Sequence, residues 1–503
     1  MEPVVTPAEM AVIDADAPEP VAELIERAGW ATAVAAKDLL GRSLYGKRIL
    51  VLVGKGNNGA DGRSAARYLD RQGARCTVVD VVDLLADEGL LQRFRKRFGR
   101  GRRSTDQNRS TEVPALRFDL VIDACFGTGL RRNFDGDDLP IPDDVPVLAV
   151  DIPSGVDGMT GAGRGGPIQA TATVTFAAMK PGLLLEPGRS LAGRITVADI
   201  GLDCSRATIH HLDRTDITTH WPRRAVDHHK WRNAVLVVGG GPGMTGAPGL
   251  SARGALRAGA GYAQVAIPGT DSGTDSDAGA GADQIDGGSS GGGFVVEPVE
   301  AVGLATPIDW VPTALAAGRR CGAVVIGPGL PTPPGDLGAY IAEVDTPTVF
   351  DAGILDSVAE LLAAARKPGT LAGPDGQVRH VLTPHDGEFR RLFGRSPSQD
   401  RIADVRAAAA SAGAVVLLKG PTTVVAHPDG RVLLSTTGDQ RLATAGSGDV
   451  LAGVIAAGLA GGLDPLLAAA VGAELHGTAG LSGYRVGMTA GDLPSLIAAV
   501  LSE

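Results

Sequence analysis

Short apolar runs that stop at glycine or aspartate recur along this chain, and helical spacing fills the intervals between them. The run Arg48-Ile-Leu-Val-Leu-Val53 is apolar at every position after the first, the pattern of a strand buried on both faces. It passes into Gly54-Lys-Gly-Asn-Asn-Gly-Ala-Asp-Gly62, then a helical segment from Arg63 to Gln72 closed by Gly73, then a strand from Cys76 to Asp80. That order predicts a βαβ opening. Upstream, Glu9 to Leu40 carries helical spacing at Ile13, Val21, Leu24, Ile25 and Ala28, broken by Pro18 and Pro20. Two further strands, Phe118 to Asp123 and Val147 to Val150, each deliver an acid, Asp123 and Asp151, at their ends.

From Ser205 to Val226 the chain turns polar and irregular, which places a boundary there and predicts domains over 1–210 and 222–503. The pattern then repeats. Ala234 to Val238 reads as a strand, Gly239 to Gly249 as a glycine loop, Leu250 to Ala258 as a helix and Tyr262 to Ile267 as a strand. Ala323 to Ile326, Thr348 to Phe350, Val381-Leu382 and Ala414 to Leu418 read as strands, each entering a loop. Alternating strands and helices in both halves predict two three-layer αβα domains, the first Rossmann-like.

At 503 residues the chain exceeds a single core, and 44% hydrophobic content with 71 glycines fits an α/β protein rich in turns. A net charge of −10 argues against a general nucleic-acid binder. Cys76, Cys125, Cys204 and Cys321 are scattered, which indicates neither a zinc site nor a disulfide framework and suits a reducing cytoplasm. No signal-peptide pattern opens the chain, and the longest apolar helical run, Val450 to Leu463, falls short of the ~20 residues that cross a bilayer. Small-molecule partners, no nucleic acid, no membrane and a homo-oligomer are expected.

The chemistry concentrates at the loops. Gly54, Gly56 and Gly59 satisfy a dinucleotide fingerprint, with Asp80 where a ribose-binding acid would stand, so a dehydrogenase is one reading. Against it, Asn57, Asn58 and Asp61 would crowd a turn meant to press on a pyrophosphate, and they are placed to bind something themselves. Asn58, Asp123 and Asp151 or Ser154 converge on one sheet edge; oxygen ligands with a single carboxylate suit a weakly held monovalent or hard cation. The basic run from Arg93 to Arg109 reads as a solvated loop, the Gly269 to Gly293 tract as a flexible insertion, and His228 and His229 as surface histidines.

In the second half, Gly446, Ser447 and Gly448 precede an apolar helix and offer bare N–H groups to an anion. Asp449 in that loop cannot ligate a phosphate, but it can take the proton of a hydroxyl that attacks one. The plainer alternative is an aspartate that caps the helix. Lys419, His385 and Glu388 lie at neighbouring strand ends and complete a phosphoryl-transfer set, with Glu388 in a magnesium shell. No G-x-x-x-x-G-K-[ST] sequence occurs in the glycine loop after Val238, which excludes a P-loop there.

The run Val53 to Gly62, with Asp123-Ala-Cys-Phe-Gly-Thr-Gly129, Asp151-Ile-Pro-Ser-Gly-Val-Asp157 and Thr175-Phe-Ala-Ala-Met-Lys-Pro-Gly182, resembles the NAD(P)H-hydrate epimerase family from about Thr6 to Asp203. The resemblance implies interconversion of the R and S forms of NAD(P)H hydrated on the nicotinamide ring, with bound potassium. It places Asn57, Asn58, Gly59, Ala60 and Asp61 on the substrate, and likewise Gly127, Thr128, Gly129, Leu130, Arg131, Arg132 and Asn133. It gives Asp151 to the substrate as an acid/base and Asn58, Asp123 and Ser154 to potassium. Ala60 stands where the family usually has glycine, and its methyl is expected to narrow the loop.

From about His229 to Leu501 the chain resembles the ribokinase-like NAD(P)H-hydrate dehydratases. Gly240 to Ala247, Ala255 to Gly261, Ile326 to Leu330, Leu382 to Glu388, Leu418 to Gly420 and Gly446 to Gly453 carry that likeness. It implies phosphorylation of the hydrate hydroxyl by ADP, or by ATP, followed by loss of phosphate and, with ADP, release of AMP. Ala247, Gly329, His385 and Asp449 would meet the substrate, with Asp449 catalytic; Lys419, Gly420, Pro421, Thr422, Thr423 and Gly448 would hold the adenine nucleotide. Trp231 replaces a family glycine and is expected to reshape the start of the first strand. Two rivals are an ATP-dependent small-molecule kinase of the same superfamily with an accessory epimerase-like domain, and a binding protein that kept an inactive fold.

Overall fold

The computed structural model describes residues 1–98, 117–139, 141–142, 144–270, 298–331, 336–365, 367–373 and 375–503. The chain divides into two compact units, Glu2–Ile209 and His210–Glu503 with Met1.

In the first unit six parallel strands lie in the order Arg75–Asp80, Arg48–Val53, Leu120–Ala124, Val147–Val150, Ala172–Phe176 and Arg194–Ala198. Alternation within Arg48–Val53 divides its apolar side chains between two cores. Ile49, Val51 and Val53 pack with Leu24, Ala28 and Leu69, whereas Leu50 and Leu52 pack with Leu84, Phe94 and Phe118. The chain runs outward to one side after the first strand and to the other side after the second. A crevice therefore opens between the C-terminal ends of Arg48–Val53 and Leu120–Ala124, where open α/β sheets bind ligands.

Two sequence readings change here. The helix expected from Arg63 begins at Asn57, with Gly56 as its N-cap, so Asn58 and Asp61 project from the first two turns of a helix. Close packing explains this, because a Cβ at Gly59 would fall 2.0 Å from the Gly54 carbonyl oxygen. Ala60 is thus helical, its N–H bonded to the Gly56 carbonyl at 3.1 Å, and its methyl narrows no loop. Asp80, the ribose candidate of the dehydrogenase reading, instead caps the helix Val81–Ala86 and pairs with Arg63 at 3.3 Å. The first part of the Arg93 to Arg109 run belongs to the helix Glu88–Phe98, not to a loop; positions 99–109 lie outside the described residues.

The second unit holds seven parallel strands in the order Val302–Thr306, Tyr262–Pro268, Ala234–Val238, Ala323–Ile326, Thr348–Phe350, Val381–Leu382 and Val415–Leu418, extended by antiparallel Thr423–Ala426 and Val432–Ser435. The same reversal sets a crevice between the ends of Ala234–Val238 and Ala323–Ile326. Helix Ser447–Ala460 is apolar on all sides and packs in one core with helices Gly246–Arg257 and Pro465–Ser482. Elsewhere in the unit, Trp310, Tyr340 and Phe350 form an aromatic chain with centroids 5.7 and 6.5 Å apart.

The polar stretch Ser205 to Val226 is more ordered than its composition suggests. Asp213 and Asp216 form a capping box on the helix Arg214–His220, and Trp221 is buried, its Nε1 donating to the Ala258 carbonyl at 2.8 Å. Trp231 stacks on Tyr262, with centroids 4.5 Å apart, and lies under the Arg320 guanidinium. These residues precede or begin their strands, at the edge opposite the crevice, so Trp231 does not reshape a site there. Of the Gly269 to Gly293 tract only Gly269 and Thr270 are described. Among the described residues no helix is long and apolar enough to cross a membrane.

Candidate active sites

The crevice of the first unit is a cavity of about 740 Å³, within the range of small-molecule sites. Asp123 ends its strand fully buried. Its Oδ1 accepts from the Ser154 hydroxyl at 2.6 Å and the Cys125 N–H at 3.3 Å, and its Oδ2 from the Ser154 N–H at 2.8 Å. Burial nonetheless pushes this carboxyl above the usual range. Asn58 is also buried, with neither amide atom hydrogen-bonded, and a Cβ on Gly127 would lie 3.5 Å from its Cγ and 3.3 Å from Asp151 Oδ2. An orphaned acceptor oxygen of that kind fits a cation better than an empty core.

Asp151 faces the same cavity with φ +67, a left-handed backbone that a non-glycine residue adopts at a cost of about 1–3 kcal/mol. Lys180, itself buried, holds it at 2.7 Å and also donates to the Thr175 hydroxyl at 2.9 Å and the Phe176 carbonyl at 2.8 Å. Thr175 in turn donates to Asp151 at 3.1 Å. Asp61 lines the cavity, and burial, then Asp151 and Asp14, push its carboxyl up to about 8. Burial raises Asp14 as well, against the pull of Lys180. The cavity thus offers a carboxylate fixed by a lysine and a carboxylic acid protonated at neutral pH, a complementary pair for moving protons.

Of the residues that the sequence assigned to the substrate, Gly127 to Arg132, Asn57, Asn58, Asp61 and Asp151 line this cavity; Gly59, Ala60 and Asn133 are not among the lining residues. Lys180 and Asp14 had no assigned role in the sequence. Lys180 lies within the Thr175 to Gly182 run, but nothing in that run shows that its side chain turns back to Asp151.

In the second unit Gly446, with φ +90, opens the helix Ser447–Ala460 without a side-chain cap; the Ser447 N–H bonds the Thr444 carbonyl at 3.3 Å, and the next N–H groups, of Gly448 and Asp449, face outward where an anion could meet them. Asp449 stands in that first turn and makes no capping bond, which removes the plainer reading of this residue. Burial, then the Asp351 carboxylate, push it up to about 7, while Lys419 pulls the other way. Lys419 lies 2.7 Å from Asp351 Oδ1 and 3.9 Å from Glu388 Oε2. Burial works against its charge, yet Asp351, Glu388 and Asp449 together hold it above the ordinary lysine value. The Thr383 hydroxyl fixes Asp351 at 2.8 Å, and a Cβ on Gly448 would sit 3.2 Å from Lys419 Nζ. Lysine, glycine loop and aspartate therefore meet around Asp351, which the sequence reading left without a role although it ends a strand as Asp123 does.

His385 is exposed and caps the helix Asp386–Phe393, its Nδ1 accepting from the N–H groups of Gly387 at 2.9 Å and Glu388 at 3.3 Å. The buried Glu388 completes that box through Oε2. Gly329 and Ala247 adjoin at the crevice, since a Cβ on Gly329 would lie 3.0 Å from that of Ala247. Ser251, one turn beyond Ala247, donates its hydroxyl to the Asp449 carbonyl at 2.7 Å. Gly420 and Pro421 are exposed, Thr422 is buried, and Thr423 starts the next strand. Among the described residues no three His, Cys, Asp or Glu side chains are arranged to hold a metal ion.

Two family signatures match the chain: a YjeF-related protein N-terminus over residues 21–182 and an NAD(P)H-hydrate dehydratase over residues 298–501. The bifunctional NAD(P)H-hydrate repair enzyme of Moorella thermoacetica is 37% identical over 99% of this chain and 96% of its own length. That of Salinibacter ruber is 35% identical over 95% and 92%. A solved ADP/ATP-dependent NAD(P)H-hydrate dehydratase from Bacillus subtilis, co-crystallised with ATP and magnesium, is 26% identical, covering 58% of this chain and 96% of that one with a TM-score of 0.43.

Proposed function

The chain belongs to the family of bifunctional NAD(P)H-hydrate repair enzymes, and from that premise we propose which residues of each unit carry its epimerase and its dehydratase reaction. Inverting a hydroxyl-bearing carbon requires the C–O bond to break and to re-form from the other face. A proton must reach the departing hydroxide, and another must leave the returning water. Asp61, protonated at neutral pH, supplies the first, and Asp151, held by Lys180, receives the second. Asn58, Asp123 and Ser154 would hold potassium, which supplies fixed positive charge beside the substrate.

In the dehydratase, Asp449 takes the proton of the hydrate hydroxyl as that oxygen attacks the terminal phosphoryl group of the nucleotide. The N–H groups at the start of Ser447–Ala460 and Lys419 face the charge that develops. Phosphate is a better leaving group than hydroxide, and its departure together with a proton from the adjacent ring carbon, which passes to solvent, restores the nicotinamide double bond. Glu388 would supply one carboxylate to a magnesium shell completed by phosphates and water. With ADP as donor the products are NAD(P)H, AMP and phosphate. The meeting of Lys419, Gly448 and Asp449 at an uncapped helix N-terminus carries this reading. A cytoplasmic homo-oligomer completes the proposal.

The test is recovery of NADH absorbance from a mixture of R and S hydrates, supplied with ADP, with ATP or with neither. Complete, nucleotide-dependent recovery supports both sites and names the donor. Recovery that stops at the S fraction would remove the epimerase assignment, and a stable phosphorylated product would favour the small-molecule kinase.

Two smaller effects follow from the geometry. Asp123→Ala should slow R to S conversion and weaken its potassium dependence without altering dehydration of pure S hydrate; an unchanged potassium titration would remove Asp123 from the cation site. Because a base must be ionised and Asp449 is pushed up to about 7, kcat/KM for dehydration should climb as pH rises through about 7 and level off above it. A flat profile from pH 6 to 8 would argue against Asp449 as the base.

A further inference from the structure

Between the end of strand Val432–Ser435 and the helix Pro465–Ser482 lies a buried polar cluster that neither reaction uses. Glu474 is fully buried there and forms no ion pair among the described residues. Its Oε2 accepts from the Ser435 hydroxyl at 2.7 Å and the Thr437 hydroxyl at 3.2 Å, while its Oε1 is buried without a partner. One helical turn on, the buried Thr478 hydroxyl is also without a partner. Thr437 contacts the same face, since its hydroxyl lies 3.4 Å from the Glu474 carbonyl and 2.3 Å from where a Cβ on Gly477 would be. Two hydroxyls thus hold one oxygen of a buried carboxylate without an ion pair, and a third, unpartnered hydroxyl follows it one turn along the helix.

We propose that Glu474, Thr478, Ser435 and Thr437 form a binding site for a monovalent alkali cation in the dehydratase unit. A buried carboxylate is costly unless a positive charge compensates it. One carboxylate among neutral hydroxyls balances a single positive charge, whereas the divalent hard cations draw on more carboxylates or keep several waters. Burial, and after it the Asp213 and Asp216 carboxylates, push the Glu474 carboxyl up to about 7 against the Ser435 and Thr437 hydroxyls, so a cation bound there competes with a proton. Neither the cluster nor its proposed ion depends on how the two reactions are assigned. The chain leaving Ser435 runs through Thr437 into the loop before Gly446, so an ion here would brace the segment that presents Asp449.

Crystals of the full chain soaked in thallium(I), a potassium mimic, should show an anomalous peak within coordination distance of Glu474 Oε1. Glu474→Gln should abolish that peak. In solution, replacing choline with potassium at constant ionic strength should raise the thermal midpoint of wild type more than that of Glu474→Gln, and a parallel sodium series shows which ion the site prefers. No peak at Glu474, or an equal peak in Glu474→Gln, would overturn the proposal. Should that variant fail to fold, Thr478→Val serves instead, with reduced thallium occupancy expected and full occupancy overturning the site.

Discussion

Asp449→Asn should lower nucleotide-dependent dehydration of the S hydrate by about 10²–10⁴-fold, the usual contribution of a positioned general base, and leave R to S conversion at the wild-type rate. The substitution keeps the shape of the side chain and removes only its basicity. Because Asp449 makes no capping bond, the helix start loses no hydrogen bond with it. Its removal also relieves Asp351 and Glu388 of a neighbouring carboxylate, so Lys419 keeps its partners at 2.7 and 3.9 Å and nucleotide binding should be retained or slightly strengthened. The measurement is a pair of assays on one preparation: NADH absorbance from pure S hydrate with nucleotide, and chromatographic R to S conversion without it. Equal loss of both rates would mean that the two reactions share a site, and would overturn the assignment of Asp449 and Asp151 to different reactions.

Much of this arrangement was legible in the sequence, and the parts that were not share a cause. The strands Arg48–Val53, Ala234–Val238 and Ala323–Ile326 stand where their unbroken apolar runs put them, because a strand buried on both faces has no polar position to blur its ends. The acids Asp123 and Asp151 at strand ends are visible for the same reason. The helix starting at Asn57 was not legible, since glycine and asparagine disfavour helices and only the close approach of Gly59 to the Gly54 carbonyl explains their presence in one. Lys180 and Asp351 were missed because each acts through a partner distant in sequence. An alternation pattern reports which face a residue occupies and says nothing about which charge it meets there. Glu474 is the sharper case, because a glutamate inside an Ala- and Leu-rich helix looks like a surface position until the structure shows it fully buried.

Lys180→Met tests the other site, and its effect should be nearly as large. Methionine fills most of the lysine's volume, so the change removes the charge while leaving much of the packing. Without it Asp151 keeps only the Thr175 hydroxyl, in a cavity that it shares with the acids Asp61 and Asp14. Breaking one side of a buried ion pair typically costs about 3–5 kcal/mol, and Asp151 is buried enough that a fall in the first unit's stability toward that range is expected. The functional loss should exceed what stability alone produces. With the lysine gone the Asp151 carboxylate is no longer held where it can take a proton from the returning water, so R to S conversion should fall about 10²-fold or more at neutral pH. Lys180→Met with a wild-type rate would take Asp151 out of the proton transfer altogether. Dehydration of pure S hydrate by the same variant should be unchanged, since Asp351, Lys419 and Glu388, the charged groups that act on Asp449, belong to the same unit as Asp449.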